Sequence, residues 1–219
     1  SGTYVRILNG LTQSQLYHIR AYAINSNGTG YGNDLTFSTV TPISSFPWTE
    51  NFDALTPPVG TSNFPSGWFE QSGGWYSSDA SYNVFNDPRS TPYYITNTDL
   101  ATNEFIWTPK FQLTEGISYD FSFWFAGDGY SGWTGDVFYN TAQTSTGATQ
   151  LGISFITSEV TSSSTYAEVK RTFVPPATGI YTFAVRINAS DVPKFIGFDD
   201  FSLAVIPTTP IFSITPASK

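Results

Sequence analysis

The sequence predicts an all-β protein built as a sandwich of two sheets. Apolar and polar residues alternate with a period of two from end to end, and helical patterns are nearly absent. Turn-forming residues are frequent, with 18 Gly and 14 Pro among the 219 residues. In residues 119–126 every second side chain is aromatic, and residues 179–188 repeat the pattern with aromatic and aliphatic side chains. Two such apolar faces packed together would form the core of a β-sandwich.

Strands can be placed along most of the chain, and they suggest four segments. Residues 1–40 contain predicted strands at 4–8, 16–24 and 35–39, and residues 41–47 form a predicted linker. Residues 48–206 form the predicted main domain, and residues 207–219 form a second linker with the start of a further β-module. The start at Ser1 indicates a cut inside a longer polypeptide, so covalently linked neighbouring domains are expected. The clearest strands of the main domain are predicted at 119–126, 136–139, 152–156, 168–173, 179–188 and 195–205.

The composition excludes several functions. The net charge is −8 and no run of Lys or Arg is present, which argues against binding to nucleic acid or to an anionic membrane surface. The absence of Cys removes disulfides, thiolate nucleophiles and cysteine-ligated zinc. No apolar stretch is long enough to insert into a membrane. Only 12% of the residues are charged, a bias that suits a secreted or cell-surface β-protein with a polar, uncharged surface.

Residues 1–40 contain a spaced set of apolar and turn residues. They are Leu11, Tyr17, Ala23-Ile24-Asn25, Gly28, Tyr31-Gly32 and Phe37. In these residues the segment resembles the C-terminal part of a fibronectin type III domain, and Tyr17 is the candidate for the tyrosine corner of that fold. The alternative is that this segment is a β-hairpin belonging to the next domain.

The main domain contains a series of motifs in a characteristic order. They are Glu50-Asn51-Phe52-Asp53, Phe64-Pro65-Ser66-Gly67-Trp68, Glu104-Phe105-Ile106-Trp107-Thr108-Pro109, Pro176, Thr178-Gly179-Ile180-Tyr181-Thr182-Phe183 and Gly197-Phe198-Asp199-Asp200-Phe201. In these motifs the domain resembles the cleaved-adhesin domains of the gingipain haemagglutinins and the related choice-of-anchor J domains. Gly73-Gly74-Trp75 stands where the family usually has a loop rich in Asp and Gly. The resemblance implies a galactose-binding-like jelly roll, a role in adhesion or in binding carbohydrate or host protein, and export by the type IX route.

A calcium site is predicted around Asp199 and Asp200. The apolar phase of the strand at 195–205 slips at these residues, so a β-bulge is expected to turn both carboxylates toward one point. In the resembled family this strand meets the first strand of the domain, which would bring Asp53 and Asn51 close to the pair. Carboxylates and carbonyl oxygens are the ligands that Ca²⁺ prefers. The alternative is a pair of solvated aspartates at a strand end.

Aromatic residues among turn residues suggest a ligand-binding surface. Trp75, Tyr76, Tyr130 and Trp133 stand beside Gly and Ser, where an exposed ring could stack on a sugar or anchor a protein partner. The alternative is that these rings cover the ends of the core.

Catalysis has little support in the sequence, and the chain is predicted not to be an enzyme. The one histidine, His18, lies outside the main domain, so a Ser-His-Asp triad is not available there. A carboxylate pair of the glycosidase type would have to come from Glu70, Asp79, Asp128 or Asp136, and nothing singles out two of them. The predicted function is a non-catalytic binding module, and the alternative is a structural spacer or sorting-associated domain.

Overall fold

The structure is a computed structural model of the chain, and it describes residues 8, 10–12, 15–56, 59–60, 63–79, 87–97, 102–129, 132–155, 165–189 and 195–207. These residues form strands and connecting turns, without a helix. The described residues accordingly contain no helix long and apolar enough to cross a membrane. The chain divides into two compact units, Ser1–Pro42 and Ile43–Lys219.

The strands are numbered in chain order. The first unit contains β1 (Leu16–Ile19), β2 (Tyr22–Asn25), β3 (Gly28–Tyr31) and β4 (Leu35–Ser38). The second unit contains β5 (Trp48–Glu50), β6 (Phe69–Gln71), β7 (Trp75–Ser78), β8 (Tyr94–Asn97), β9 (Glu104–Trp107), β10 (Phe111–Leu113), β11 (Tyr119–Ala126), β12 (Trp133–Asn140), β13 (Thr149–Gln150), β14 (Ala167–Phe173), β15 (Gly179–Ala189) and β16 (Ile196–Val205).

The first unit consists of two antiparallel pairs, β1 with β4 and β2 with β3. The strand predicted at 16–24 is therefore two strands that have different partners. The Thr12 N–H donates to the Tyr17 hydroxyl (2.6 Å), the kind of backbone contact that a tyrosine corner makes. The resemblance of this unit to a fibronectin type III domain stays a prediction, and residues 4–7 of its predicted strand at 4–8 lie outside the described residues.

The second unit is a jelly-roll β-sandwich of two antiparallel sheets. Sheet I has the strand order β13-β12-β15-β9-β6, with β10 also pairing with β15. Sheet II has the order β14-β11-β16-β8-β7, with β5 also pairing with β16. Ile43, which the sequence places in a linker, exchanges backbone hydrogen bonds with Lys110 and Gln112 at β10. The predicted boundaries at 40, 47 and 206 stay predictions.

The predicted inward faces of the two long strands are confirmed. Tyr119, Phe121, Phe123 and Phe125 of β11 are buried, as are Tyr181, Phe183, Val185 and Ile187 of β15. The rings of Phe121 and Phe183 stack across the sandwich at 4.7 Å between centroids, with 12° between their planes. Burial of an aromatic side chain of this kind contributes about 1.5–3 kcal/mol.

Five of the six strands predicted for the main domain are present, at β11, β12, β14, β15 and β16, with small differences at their ends. The segment predicted as a strand at 152–156 makes only one isolated bridge, between Phe155 and Gly135. It therefore lies against β12 without continuing the sheet, and residue 156 is outside the described residues.

We expect Phe121→Ala to lower the free energy of unfolding of the second unit by about 3–5 kcal/mol, because the substitution leaves a cavity against Phe183. All six Trp residues lie between residues 48 and 133, so Trp fluorescence during urea unfolding reports on this unit alone. The matched control is Phe69→Ala, which removes a ring that is 46% exposed and should cost much less. Equal losses for the two variants would contradict the core described above.

Candidate functional site

The predicted bulge in β16 is confirmed. The register between β11 and β16 shifts between Ser122 and Trp124, and Asp200 has the left-handed backbone angle φ = 49°. Phe198 and Phe201 therefore both point into the core although they are three residues apart. The extra residue turns Asp199 and Asp200 away from the apolar interior.

Asp199 is fully buried and accepts backbone hydrogen bonds from three residues. Its Oδ2 accepts from the N–H groups of Arg89 (2.9 Å) and Ser90 (2.8 Å), and its Oδ1 accepts from the N–H of Asp200 (2.8 Å). Burial raises the pKa of the Asp199 carboxyl to about 7, against the lowering effect of the Ser90 N–H, and the Asp200 carboxylate adds to the rise. The Asp199 carboxyl group is thus shielded from water but accepts hydrogen bonds from backbone N–H groups.

Asp200 has a cationic partner within the protein. Its Oδ2 forms an ion pair with Nη1 of Arg89, and the guanidinium of Arg89 lies over the ring of Trp124, 3.9 Å from the centroid. Trp124 and Asp199 are cross-strand partners on the outer face of sheet II. The Arg89 side chain is therefore held between a carboxylate and an aromatic ring.

Asp53 and Asn51 lie just after β5, which pairs with β16 as predicted. Asn51 Nδ2 donates to Asp53 Oδ2 (2.6 Å), and the Tyr93 N–H donates to Asp53 Oδ1 (3.4 Å). Burial raises the pKa of the nearby Glu50, with a smaller contribution from the Asp53 charge. Asp53 and Asp199 thus bind to two points of one segment, residues 89–93.

These contacts do not fit a calcium site. Ca²⁺ takes six to eight oxygen ligands, whereas the oxygens of Asp199 face backbone N–H groups and Asp200 faces a guanidinium. Among the residues that the structure describes, no group of three or more Asp, Glu, His or Cys side chains is placed to hold a metal ion. Calcium binding at Asp199 and Asp200 stays a prediction.

The expectation that Trp75 and Trp133 are exposed on loops is wrong. Trp75 is 0% exposed and Trp133 is 4% exposed, because each begins a strand and points inward from it. Trp75 packs on Phe198, and Trp133 packs on Phe125. The neighbouring Gly residues suggested a loop but lie just outside these strands. Tyr76 is half-buried on β7, and Tyr130 lies outside the described residues.

The outer face of sheet I carries polar and aromatic side chains that the sequence analysis did not identify as a binding surface, although it named Asp136 as a candidate acid. They alternate with the inward residues of β9, β12 and β15, so they project from the side opposite the core. Cross-strand partners on this face are Thr134–Asn188, Phe105–Arg186–Asp136 and Trp107–Ala184–Phe138. We call this set of eight residues, together with Asn103, the sheet I face.

An ion pair lies at the centre of the sheet I face. Nε and Nη2 of Arg186 donate to Asp136 Oδ2 (3.1 and 2.5 Å), and Nη1 donates to Asn103 Oδ1 (3.1 Å). The Asp136 side chain is 1% exposed, whereas that of Arg186 is 27% exposed. Gln150 Nε2 (2.9 Å) and Ser154 Oγ (2.5 Å) donate to the other oxygen of Asp136. The carboxylate is saturated and holds the guanidinium in one orientation.

Aromatic rings border this ion pair. Phe105 stacks on Trp107 at 5.8 Å between centroids and contacts Phe138 at 5.3 Å. These rings form an apolar cluster with Ala184 that is separate from the main core. Arg186 Cζ lies 5.1 Å from the centroid of the Phe138 ring, which is half-buried. The face therefore combines a rigid cation with an adjacent, partly accessible ring.

The acids named as glycosidase candidates are on different elements. Asp136 is paired with Arg186, and Glu70 on β6 accepts the Trp75 N–H (2.9 Å). Asp128 follows β11 and accepts the Phe195 N–H (2.9 Å), whereas Asp79 follows β7. His18 pairs with Asp34 in the first unit (2.7 Å).

Comparison with known proteins supports the fold. No family model matches the chain, and no curated protein matches its sequence. The K1 cleaved adhesin domain of Lys-gingipain from Porphyromonas gingivalis W83 has a TM-score of 0.53 at 14% identity, covering 74% of this chain and 100% of that chain. The K2 domain of Lys-gingipain has a TM-score of 0.52 at 16% identity, covering 72% and 99%.

A larger protein shares the same fold in part of its length. An arabinose-bound α-L-arabinofuranosidase has a TM-score of 0.52 at 14% identity, covering 73% of this chain but only 26% of that chain. At these identities the likeness extends to the fold alone. The second unit is thus similar in architecture to adhesin domains and to one portion of a glycosidase.

We expect Trp133→Ala to lower the free energy of unfolding by about 3–5 kcal/mol, because the ring fills the space between Phe125 and Phe155. Urea unfolding followed by fluorescence of the remaining Trp residues measures the loss. A change below about 1 kcal/mol, typical of a surface substitution, would show that the ring is exposed after all.

The second unit should lose stability as the pH rises through neutrality. The pKa of Asp199 in the folded state is about 7, above its value of about 4 in unfolded chains, so the folded state binds the proton more tightly. The stabilising contribution is complete below about pH 4 and is lost as the pH rises through about 7. Urea midpoints from Trp fluorescence should fall between pH 5 and pH 8.

Asp199→Asn provides the comparison, because it removes the titrating group while keeping a similar shape. The pH dependence should flatten in this variant. The one histidine, His18, belongs to the first unit, which lacks Trp, and so it does not contribute to the signal. An identical slope in the wild type and in Asp199→Asn would contradict the assignment.

Proposed function

We propose that the second unit is a non-catalytic carbohydrate-binding module and that it binds glycans on the sheet I face. The observation that carries the proposal is the Arg186–Asp136 pair next to Phe138. Ligand sites for sugars combine an apolar surface with a few fixed polar groups. Phe105 and Trp107 are buried, so the apolar contact available on this face is the partly exposed ring of Phe138, beside the fixed guanidinium of Arg186. Because the likeness to other proteins is at the level of the fold, the proposal rests on this face.

Arg186 is suited to recognise neighbouring hydroxyl groups. A guanidinium carries five N–H donors, and three of those on Arg186 bond to Asp136 and Asn103, which leaves two without a bond to any described residue. Two N–H groups on a planar fork can donate to two adjacent sugar hydroxyls. The Asp136 carboxylate is itself held by hydrogen bonds and keeps the Arg186 guanidinium from rotating. The Arg186 side chain therefore loses little rotamer entropy when a glycan binds.

Asn188 and Thr134 extend the polar surface beside Arg186. They are cross-strand partners, both half-buried, and their side chains have no hydrogen bond within the part of the chain that the structure describes. An amide and a hydroxyl together can donate to and accept from sugar hydroxyls. Because Asp136 neutralises Arg186, the face favours neutral sugars over acidic ones.

We further propose that the protein acts outside the cell or at its surface. A binding module of this kind needs access to extracellular glycans, and its polar but weakly charged composition suits that location. The non-catalytic assignment is supported by the four hydrogen bonds that occupy the Asp136 carboxylate. Binding of a host protein stays a prediction, and we assign no part of the described surface to it.

The test is a glycan array probed with the full chain, followed by calorimetry with the strongest neutral oligosaccharide. The double variant Asn188→Ala/Thr134→Val should bind about tenfold more weakly, since it loses two hydrogen bonds worth about 0.5–1.5 kcal/mol each. Phe138→Ala should also weaken binding through loss of the stacking ring. These variants leave the Arg186–Asp136 pair intact, so they should fold.

The matched control is Thr172→Val on the exposed part of β14 in sheet II, which should bind as the wild type does. Weaker glycan binding by Thr172→Val, with unchanged binding by the sheet I variants, would show that the glycan site is on sheet II. An array without any bound glycan would contradict the proposal and would favour the structural-spacer alternative.

A further inference from the structure

Residues 87–93, which we call the strap, are fastened to the outside of sheet II by polar contacts at several points. The N–H groups of Arg89 and Ser90 donate to Asp199, and the N–H of Tyr93 donates to Asp53. The Tyr166 hydroxyl donates to the backbone oxygen of Asp87 (2.7 Å). The strap therefore bridges the end of β5, the bulge in β16 and the residue before β14.

The Arg89 side chain places a positive charge at the bulge. It pairs with Asp200 and lies flat over Trp124, while its own N–H bonds to Asp199. A guanidinium suits this position because it can donate to a carboxylate and stack on an aromatic ring at the same time. One residue thus supplies contacts to both aspartates.

Charge balance explains why a cation is needed here. Asp199 is fully buried and Asp200 is next to it, so two neighbouring carboxylates lie where water is scarce. A buried carboxylate without a partner is costly, and a bound dication or an internal cation removes that cost. In this chain the strap supplies the Arg89 and Ser90 N–H groups to Asp199 and the Arg89 guanidinium to Asp200, and the Asp200 N–H completes the set.

We infer that Arg89 takes the place of a metal ion at the Asp199–Asp200 bulge, so that the second unit is stable without calcium. The three backbone N–H groups on Asp199 and the guanidinium on Asp200 engage the oxygens that a divalent cation would otherwise bind. Removal of the Arg89 charge leaves the backbone bonds to Asp199 in place but takes the cationic partner from Asp200, so a divalent cation can bind at the Asp200 carboxylate.

The experiment compares the thermal unfolding of the full chain in excess CaCl₂ and in excess EGTA, followed by Trp fluorescence. The wild type should unfold at the same temperature in both. Arg89→Met should unfold at a lower temperature in EGTA and recover by about 3–6 °C in CaCl₂ at roughly ten times its dissociation constant. The double variant Arg89→Met/Asp200→Asn should lose that recovery.

Terbium luminescence provides a second readout that does not depend on stability. Tb³⁺ bound at the bulge would be sensitised by Trp124, because that ring is the cross-strand partner of Asp199. Arg89→Met should show sensitised emission, whereas the wild type and Arg89→Lys, which keeps a positive charge, should not. Arg20→Met is the matched control, since Arg20 also lies over an aromatic ring, that of Tyr31 (4.1 Å).

Three results would overturn the inference. A wild-type unfolding temperature that falls in EGTA would place a calcium ion at the native bulge, as the sequence predicted. An Arg89→Met variant that folds but responds to neither Ca²⁺ nor Tb³⁺ would show that Arg89 does not replace a cation. Equal responses in Arg20→Met would show that the effect is not local to the bulge. If Arg89→Met does not fold, the test is the unfolding temperature of the wild type and of Arg89→Lys in EGTA and in CaCl₂. A lower temperature in EGTA for either protein would contradict the inference.

Discussion

The stacking of Phe121 on Phe183 determines which side of each sheet faces the core. Both residues are fully buried, and their rings join β11 of sheet II to β15 of sheet I. Since side chains alternate along a strand, this contact also decides which residues must point outward. Arg186 follows Phe183 by three residues and is therefore on the outer face. The polar surface proposed to bind glycans is thus a consequence of how the core is filled.

The same constraint accounts for the bulge in β16. Phe198 and Phe201 both contact Phe123 in the core, at 5.9 and 5.1 Å between ring centroids, although a regular strand would place them on opposite sides. One extra residue restores the inward phase, and the left-handed angle of Asp200 absorbs the change of direction. Two carboxylates are thereby turned outward at one point, where the N–H groups of the strap and the side chain of Arg89 meet them.

The sequence predicted those features that depend on the alternation of apolar and polar residues along a strand. The inward faces of β11 and β15, the bulge at Asp199 and Asp200, and the meeting of β5 with β16 are all present. Burial of Trp75 and Trp133 was only the alternative interpretation, because adjacent Gly residues obscured the points where β7 and β12 begin. β7 has four residues, too few for its phase to be read, and the strand predicted in β12 began at residue 136, after Trp133.

Contacts between distant segments could not be read from the pattern. Asp136 and Arg186 are 50 residues apart and meet only because β12 and β15 pair in one register. Both residues lie at outward-facing positions of predicted strands. That placement could have indicated an ion pair, since an acid and a base on the same face of a sheet can pair. The pairing of Arg89 with Asp200 could not be predicted in this way. Arg89 lies in an irregular segment, 111 residues before Asp200.

The position of a glycan bound to the outer face of sheet I can be mapped directly by NMR. An isotopically labelled full chain would be titrated with the neutral oligosaccharide selected from the array, and amide and side-chain shifts would be followed. We predict that the shifts cluster on β9, β12 and β15, with the Arg186 Nε–H and the Asn188 side-chain amide among the largest. Shifts confined to sheet II or to the residues near Trp75 would contradict it.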